Sequence, residues 1–290
     1  MELSPAVRRV LVAEVDGIAM WDVRQPWGWP AGRWSPVGVE ETDAVCLYRS
    51  GRRRRAAAGL EEYLDATTGY VSRRGTEERF TGAGEVETTV TRLTPQAYDE
   101  YLGSVSPAQG WVLRPDTAFD YRHRRLVADA ARGADAFAVA EGLLLLLETL
   151  PGRTCRPDRS RPASWAHHRS LVMDAQEFLT VRPTAGLDDL ARALATSPGH
   201  LSRVFRRVTG RPVTVYRNEL RLRRALDLLA RGVDDLGALA AELGFSDHAH
   251  LTRTVKRHIG RVPSIVRREL ALAAPRAHPP GELPAVSVRG

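Results

Sequence analysis

Cysteine is nearly absent. The chain has 290 residues and two cysteines, Cys46 and Cys155. Far apart, they offer neither a metal-ligand spacing nor a disulfide framework, which implies a reducing cytoplasm. Long apolar runs are missing too. No segment approaches the roughly 20 apolar residues that cross a bilayer, and Leu143–Leu147 is only a short run. The N-terminal stretch MELSPAVRRVLVAEVDG puts charges on both sides of a very short apolar patch, unlike a secretory signal. No membrane partner is expected. No histidine precedes His123, which argues against a histidine-ligated metal site in the first third. No Ser/His/Asp set, nucleophile elbow or phosphate loop is visible, so neither enzymatic activity nor a cofactor is expected. Lysine is almost missing as well: Lys256 is the single one, and every other basic residue is arginine.

What is present is a large, unevenly charged chain. Its 43% hydrophobic content suits soluble globular domains, and its length suggests two of them. Residues 1–110 hold 13 basic against 16 acidic residues, net −3. Residues 111–166 are net +2, and residues 167–290, with 20 basic against 12 acidic, are net +8. The basic excess sits in the last part, as expected of a segment that meets phosphate.

The first 110 residues alternate short partly apolar runs with turn residues. VRRVLVAEV, AVCLYRSG, TGYVSRRG, EERFTGAG and EVETTVTRLT are separated by Asp16-Gly17, Ser50-Gly51, Thr68-Gly69, Gly75 and Gly82-Ala83-Gly84. Such spacing predicts a small antiparallel β barrel or sandwich. The Trp-rich stretch from Trp21 to Trp34 either lines a small-molecule pocket or closes the barrel mouth. Arg52–Arg55 either meet an anion or form a solvated hairpin tip. Glu61, Glu62 and Asp65 look like a surface turn. From Pro115 the pattern becomes helical, with Phe119, Leu126, Val127, Ala130 and Ala131 near one face and Phe137, Ala140, Leu144, Leu147 and Leu150 near another. These helices either pack on the first domain or make a dimer contact. Pro151-Gly152 stops them, and Pro151–Ser164 reads as a linker. Residues 166–181 carry an amphipathic stripe of Leu171, Val172, Ala175, Phe178 and Leu179, with His167 and His168 at its start. The tail after Ala273 is Pro/Gly-rich and reads as disordered. The expected organisation is therefore α+β and multidomain: a β-rich domain over 1–110, a helical connector and linker over 111–165, an all-α domain over 166–272 and a disordered tail over 273–290.

The all-α domain contains one motif twice, LDDLARALATSPGHLSRVFRRVTGRP from Leu187 and LGALAAELGFSDHAHLTRTVKRHIGRVP from Leu236. Leu190, Leu194 and Ser197 recur 49 positions later as Leu239, Leu243 and Ser246. Past the turn the offset is 50: Leu201, Arg203, Arg207 and Gly210 match Leu251, Arg253, Arg257 and Gly260. One extra residue in the second turn accounts for the change. Fixed-period repetition of this kind predicts two helix-turn-helix units. Asp235 is a good N-cap for the second copy, Gly186 a weaker one for the first, and Pro198 suits a first helical turn. In the second helix of each copy, Leu201, Val204, Phe205 and Val208, or Leu251, Val255 and Ile259, form an inner face. Gly199, His200, Ser202 and Arg203, and His248, Ala249, Thr252 and Arg253, are left near the helix starts, where such helices read base edges in the major groove. Arg206, Arg207, Lys256 and Arg257 follow as phosphate or helix-end contacts. Between the copies VTVYRNELRLRRALDLLAR forms a rod of roughly 28 Å, close to the roughly 34 Å between successive major grooves on one face of DNA. Its Arg217, Arg221 and Arg224 either face phosphates or are solvated.

These residues resemble the AraC/XylS family of bacterial transcriptional regulators. The resemblance rests on L-A-x-x-L-x-x-S-x-x-x-L-S-R-x-F-R-R-x-T-G, Leu190–Gly210, on R-L-x-x-A-x-x-L-L, Arg221–Leu229, and on A-x-x-x-G-F-S-D-x-x-x-L-x-R-x-x-K-R-x-x-G-x-x-P, Ala240–Pro263. Leu251 and Val255 stand where the family usually has Phe, and His248, Ala249 and His250 occupy its variable start of the second reading helix. The resemblance covers about 167–270. It implies a sequence-specific regulator of transcription with a cupin-like N-terminal domain that senses a small molecule or dimerises. The partners it implies are double-stranded DNA, RNA polymerase, a small-molecule effector and a second copy of the chain. The alternatives are an enzyme fused to a DNA-binding domain, such as a repair protein acting through a cysteine, and a non-specific architectural DNA binder.

Overall fold

The computed structural model describes residues 7–26, 32–103, 112–150 and 162–271. Two-residue turns with positive φ at both positions set the first strands. Asp16 (φ 45) and Gly17 (φ 77) join β1 (Arg8–Val15) to β2 (Ile18–Gln25), and Ala58 (φ 49) and Gly59 (φ 74) join β5 (Arg52–Ala57) to β6 (Leu60–Asp65). This is the turn geometry that matches the twist of paired strands. With β3 (Gly38–Val39), β4 (Asp43–Ser50), β7 (Gly69–Ser72), β8 (Glu77–Thr81), β9 (Val86–Leu93) and β10 (Val112–Leu113), they make two antiparallel sheets. One has the order β1-β2-β9-β4-β7-β10, the other β3-β8-β5-β6. The sheets pack on each other through Cys46, Tyr48, Leu64, Tyr70 and Val86. The expected small antiparallel β sandwich is present, and each of the five runs named above contributes a strand.

The strands missing from the sequence reading are informative. β5 is the arginine run itself. Arg53 and Arg55 point inward and are buried, while Arg54 reaches out to Asp174 (3.0 Å) and Glu177 (2.6 Å). The run is therefore neither a hairpin tip nor an open anion site. Arg55 is held at 2.7 Å by Glu78, at 3.2 Å by Glu62 and lies over the Tyr70 ring, so a buried charge is paired rather than expelled. Glu61, Glu62 and Asp65 lie on β6, not on a surface turn, and Asp65 is wholly buried. Trp21 belongs to β2, and the Arg79 guanidinium covers Trp34; Trp27 and Trp29 lie outside the described residues.

Helices α1 (Pro95–Leu102), α2 (Thr117–Ala131) and α3 (Ala136–Glu148) cover the other face of the larger sheet. Ile18, Met20, Val45, Leu93, Phe119, Leu126, Leu143 and Leu147 share that core. The connector helices thus pack on the first domain. Phe137, which periodicity groups on one face with Leu144 and Leu147, is 77% exposed, and Leu145 is 55% exposed; α3 buries Val139, Leu143, Leu146 and Leu147.

The C-terminal helices are α4 (Pro162–Val181), α5 (Leu187–Ala193), α6 (Pro198–Thr209), α7 (Val213–Ala230), α8 (Leu236–Glu242), α9 (His248–Ile259) and α10 (Pro263–Leu270). Two cores divide them. Val172, Leu179, Leu190, Leu201, Phe205 and Tyr216 form the first; Leu222, Leu226, Leu239, Leu251, Val255 and Val266 form the second. Helix α7 enters both, so its N-terminal half belongs to one unit and its C-terminal half to the other. Leu251 and Val255 are fully buried. The Pro151–Ser164 linker lies partly, and the tail beyond 271 wholly, outside the described residues; α4 begins at Pro162. No helix among the described residues is long and apolar enough to cross a membrane.

The two halves meet across a polar seam. Arg223 of α7 is 1% exposed; it donates to the Pro115 carbonyl (2.7 Å) and the Ala66 carbonyl (3.1 Å) and lies 3.4 Å from Asp120. Thr117 donates to Glu219 at 2.6 Å, and the Tyr216 hydroxyl donates to Asp65. Burial alone would raise the Asp120 carboxyl, but Arg124 and Arg223 outweigh it and hold it well below the usual carboxylate range. His123, its imidazole pushed down by burial, shares a 2.7 Å contact with Thr89 of β9.

Candidate nucleic-acid interface

Each helix-turn-helix unit is assembled by the same local chemistry. Helix α5 ends with Ala195 left-handed (φ 49), and the Thr196 N–H reaches back to the Ala191 carbonyl at 3.0 Å. Helix α8 ends with Gly244 left-handed (φ 70), and the Phe245 N–H reaches the Ala240 carbonyl at 2.9 Å. Both closures satisfy carbonyls that a helix end leaves unpaired. The following helix is then capped. The Ser197 hydroxyl accepts from the His200 N–H at 3.2 Å, and the Asp247 carboxylate from the His250 N–H at 2.7 Å. These N–H bonds hold Asp247 below its ordinary value. Gly210 (φ 75) and Gly260 (φ 78) close the far ends. The extra residue in the second turn falls between Gly244 and Asp247, as the change of offset requires.

With their apolar faces committed to the cores, α6 and α9 present their remaining residues outward. On α6, Gly199 and Arg203 are exposed and His200 and Ser202 half-buried. The Arg203 guanidinium lies over Gly199, where an added Cβ would sit 3.5 Å from Nη1. On α9, His248 and Arg253 are exposed and Ala249 and Thr252 half-buried. Arg206 and Arg207, and Lys256 and Arg257, are exposed on the last turns, where cations also favour the helix C-terminus. Gly199, Ser202 and Arg203 thus occupy places equivalent to Ala249, Thr252 and Arg253, whereas His200 is matched by His250 and His248 by Pro198; the four residues expected to meet phosphate lie one turn further on.

Three arginines of α7 have partners within the domain. Arg217 donates to the Ala185 carbonyl (2.8 Å), Arg221 to the Pro183 carbonyl (2.9 Å), and Arg224 pairs with Asp227 (3.0 Å). Arg217 and Arg221 brace α7 against the α4–α5 loop, and Arg224, which is exposed, pairs with the next turn of its own helix. The structure also adds neighbours that periodicity could not reveal. His167 and His168 sit within α4, and the His168 ring meets His200 edge-on, centroids 6.0 Å apart. His250 is engaged locally, with Nδ1 3.2 Å from the Ser246 hydroxyl and its ring against Phe245. Among the described residues no cluster of three or more His, Cys, Asp or Glu is arranged to hold a metal ion.

Comparison with known proteins places this geometry. Residues 190–269 match a family described as a helix-turn-helix domain. The chain is 35% identical over 226 residues to the HTH-type transcriptional regulator GlxA of Rhizobium meliloti, an alignment covering 76% of this chain and 63% of that protein. It is 25% identical over 172 residues to the bifunctional transcriptional activator/DNA repair enzyme Ada of Escherichia coli, covering 59% of this chain and 45% of that one. The chain therefore spans less than two thirds of the length of these relatives. Among solved structures, ToxT from Vibrio cholerae aligns over 88% of this chain and 98% of its own, with 12% identity and a TM-score of 0.34. The repeated, equivalently capped units within the matched residues make the C-terminal part of this chain a helix-turn-helix domain of the AraC type.

Proposed function

We propose that the chain is a sequence-specific transcriptional regulator of the AraC/XylS type, acting in the cytoplasm. Its C-terminal domain binds duplex DNA and its N-terminal domain receives a small-molecule signal. The observation that carries this reading is the pair α6 and α9: two helices capped at equivalent positions, by Ser197 and Gly210 and by Asp247 and Gly260, each presenting polar and basic residues on its outer side, joined by α7. Eighteen residues of helix span about 27 Å, a length that suits two readers on one face of the duplex. Gly199, His200, Ser202 and Arg203 read one groove, and His248, Ala249, Thr252 and Arg253 the next. Arg206, Arg207, Lys256 and Arg257 neutralise phosphate. A second copy of the chain would cover Phe137 and Leu145 on the outer face of α3, and RNA polymerase is the partner through which such a regulator acts. The domain division proposed is 1–110, 111–165, 166–272 and a tail.

A repair enzyme is the competing reading, since one relative combines activation with DNA repair. Alkyl transfer needs a thiolate at an accessible site. Cys46 is buried on β4 and burial pushes its thiol up to about 12, which favours the regulator. Cys155 lies outside the described residues.

Operator binding by the whole protein tests the proposal. Genome-wide mapping supplies the sites, and competition with random duplex gives the specificity ratio. Arg203→Ala should lose specific binding with the fold intact, whereas Lys256→Ala should weaken all sequences alike and lower the salt slope by about one. A ratio near one would indicate an architectural binder, and full operator affinity in Arg203→Ala would refute the assignment of α6 as a reader.

A further inference from the structure

The second reading helix carries two histidines near its start, and the repeat singles out one of them. His248 is the first residue of α9 and stands where α6 has Pro198, a residue with no polar side chain. His250 stands where α6 has His200. The two share a backbone role. The His200 N–H donates to the Ser197 hydroxyl at 3.2 Å, and the His250 N–H to the Asp247 carboxylate at 2.7 Å. They also share a neighbour. Residues three apart on a helix lie side by side, and Arg203 follows His200 as Arg253 follows His250.

Both imidazoles are held by a second ring. His168 of α4 meets His200 edge-on, with centroids 6.0 Å apart, and Phe245 meets His250 at 5.3 Å with the planes 86° apart. Edge-to-face pairs of this kind are favourable. His250 is fixed further. The Ser246 N–H is directed at its Nδ1 (3.5 Å), and the Ser246 hydroxyl lies 3.2 Å from the same atom. A backbone N–H can only donate, so Nδ1 accepts and the proton of the neutral ring sits on Nε2. The two ring nitrogens diverge, which directs Nε2 away from the turn. Nε2 has no hydrogen-bond partner among the described residues, and the side chain is exposed. The second reader therefore begins with a donor of fixed identity, set in place before any contact is made. A side chain ordered in advance loses less freedom on binding. His248, by contrast, makes no side-chain hydrogen bond or ring contact among the described residues.

We propose that His250 is a specificity-determining residue of the second reader, its Nε2–H donating to N7 of a purine on the major-groove edge beside the base pair met by Arg253. A donor calls for an acceptor. Every purine presents N7 in that groove, whereas cytosine presents a donor. The proposal rests on the reading of α9 as a groove helix and adds His250 to the residues assigned to it.

Competition binding of the full chain to its mapped operator, with each purine replaced in turn by its 7-deaza analogue, tests it. The half-site read by α9 is the one whose base preferences Arg253→Ala relaxes. At one purine in that half-site the analogue should weaken wild-type binding roughly three- to tenfold, the effect of one lost hydrogen bond. His250→Phe keeps a ring against Phe245 but has no ring nitrogen. It should bind the unmodified operator more weakly by a similar factor, with the salt slope and melting temperature unchanged, and the analogue should then cost it nothing further. Should His250→Phe fail to fold, His250→Ala is read in the same way. An equal effect of the analogue in wild type and variant would mean that His250 serves the turn alone. Weakening of all sequences alike with a salt slope lower by about one would mean a phosphate contact. Either result overturns the proposal, as does operator specificity with no 7-deaza effect in the α9 half-site. Loss of the α9 reading itself is distinguishable, since Arg253→Ala would then relax no base preference at all.

Discussion

At the scale of single residues, this chain departs from the usual rule by burying charge. Arg55, Asp120 and Arg223 are all nearly inaccessible, and each is surrounded by groups of opposite sign or by carbonyls. Glu40 is the least well compensated. Its folded value of about 7 exceeds its ordinary 4.5, so protonation favours the fold. The stability it contributes is fully present below about pH 4.5 and is lost as pH climbs through about 7. Asp120 works in the opposite direction. Its depressed value adds stability above the ordinary carboxylate range, lost only in acid. Glu40 should therefore contribute a rise in melting temperature on going from about pH 8 to pH 5, offset in part by buried His123, whose lowered value costs stability as pH falls below its ordinary range. Glu40→Gln, which imitates the protonated acid, should flatten that rise; a full rise in the variant would place its source elsewhere. No periodicity argument exposes these residues, because a charge reads as solvent-facing until the elements that cover it are known.

At the scale of elements, the helix-turn-helix units were the most legible part of the sequence. Their information is local: a cap residue, an apolar stripe and a closing glycine within one short segment. The two turns nevertheless differ in how well they fit. Gly244 takes its left-handed conformation without strain. Its substitution by Ala would bring Cβ to 2.8 Å from Thr184 Cγ2. Ala195 adopts the same conformation with a Cβ, which costs roughly 1–2 kcal/mol. Ala195→Gly should relieve this, less the added freedom of the unfolded chain, for a net gain of about 0.5 kcal/mol. Thermal melting should show a rise of roughly 1–2 °C; a fall would mean that the alanine methyl packs favourably enough to offset the backbone. Strand β5 shows the opposite case. Four consecutive arginines carry no alternation to read, yet the pairing of Arg53 with Leu64 and of Arg55 with Glu62 and Phe80 gives them alternating faces.

At the scale of the whole molecule, helix α7 joins the two halves of the protein, together with α4, which meets Arg54, and α10, which meets Tyr121 and Arg132. Helix α7 enters the cores of both reader units, and its Tyr216, Glu219 and Arg223 are gripped by Asp65, Thr117, Asp120 and the Pro115 carbonyl. The outward residues of α6 and α9 are not among those that grip this seam. Arg223→Met would leave Asp120 to Arg124 and Glu219 to the Thr117 hydroxyl, and would remove the buried cation shared between the two carboxylates, at a cost of about 3 kcal/mol or more. Differential scanning calorimetry should then show a lowered transition that divides in two as the halves uncouple. An unshifted single transition would mean that the remaining contacts alone join them.

The sequence by itself determined the two helix-turn-helix units, their order and spacing, the residues each leaves outside its apolar core, and the presence of a small antiparallel β domain before them. All of these follow from short-range periodicity, capping and turn chemistry. The tertiary structure alone decided the burial of Arg53, Arg55 and Asp65, the bracing roles of Arg217 and Arg221, the exposure of Phe137 and the setting of His168 against His200. Each depends on which residues distant in the chain come together. Burial and pairing are properties of that neighbourhood rather than of the local sequence.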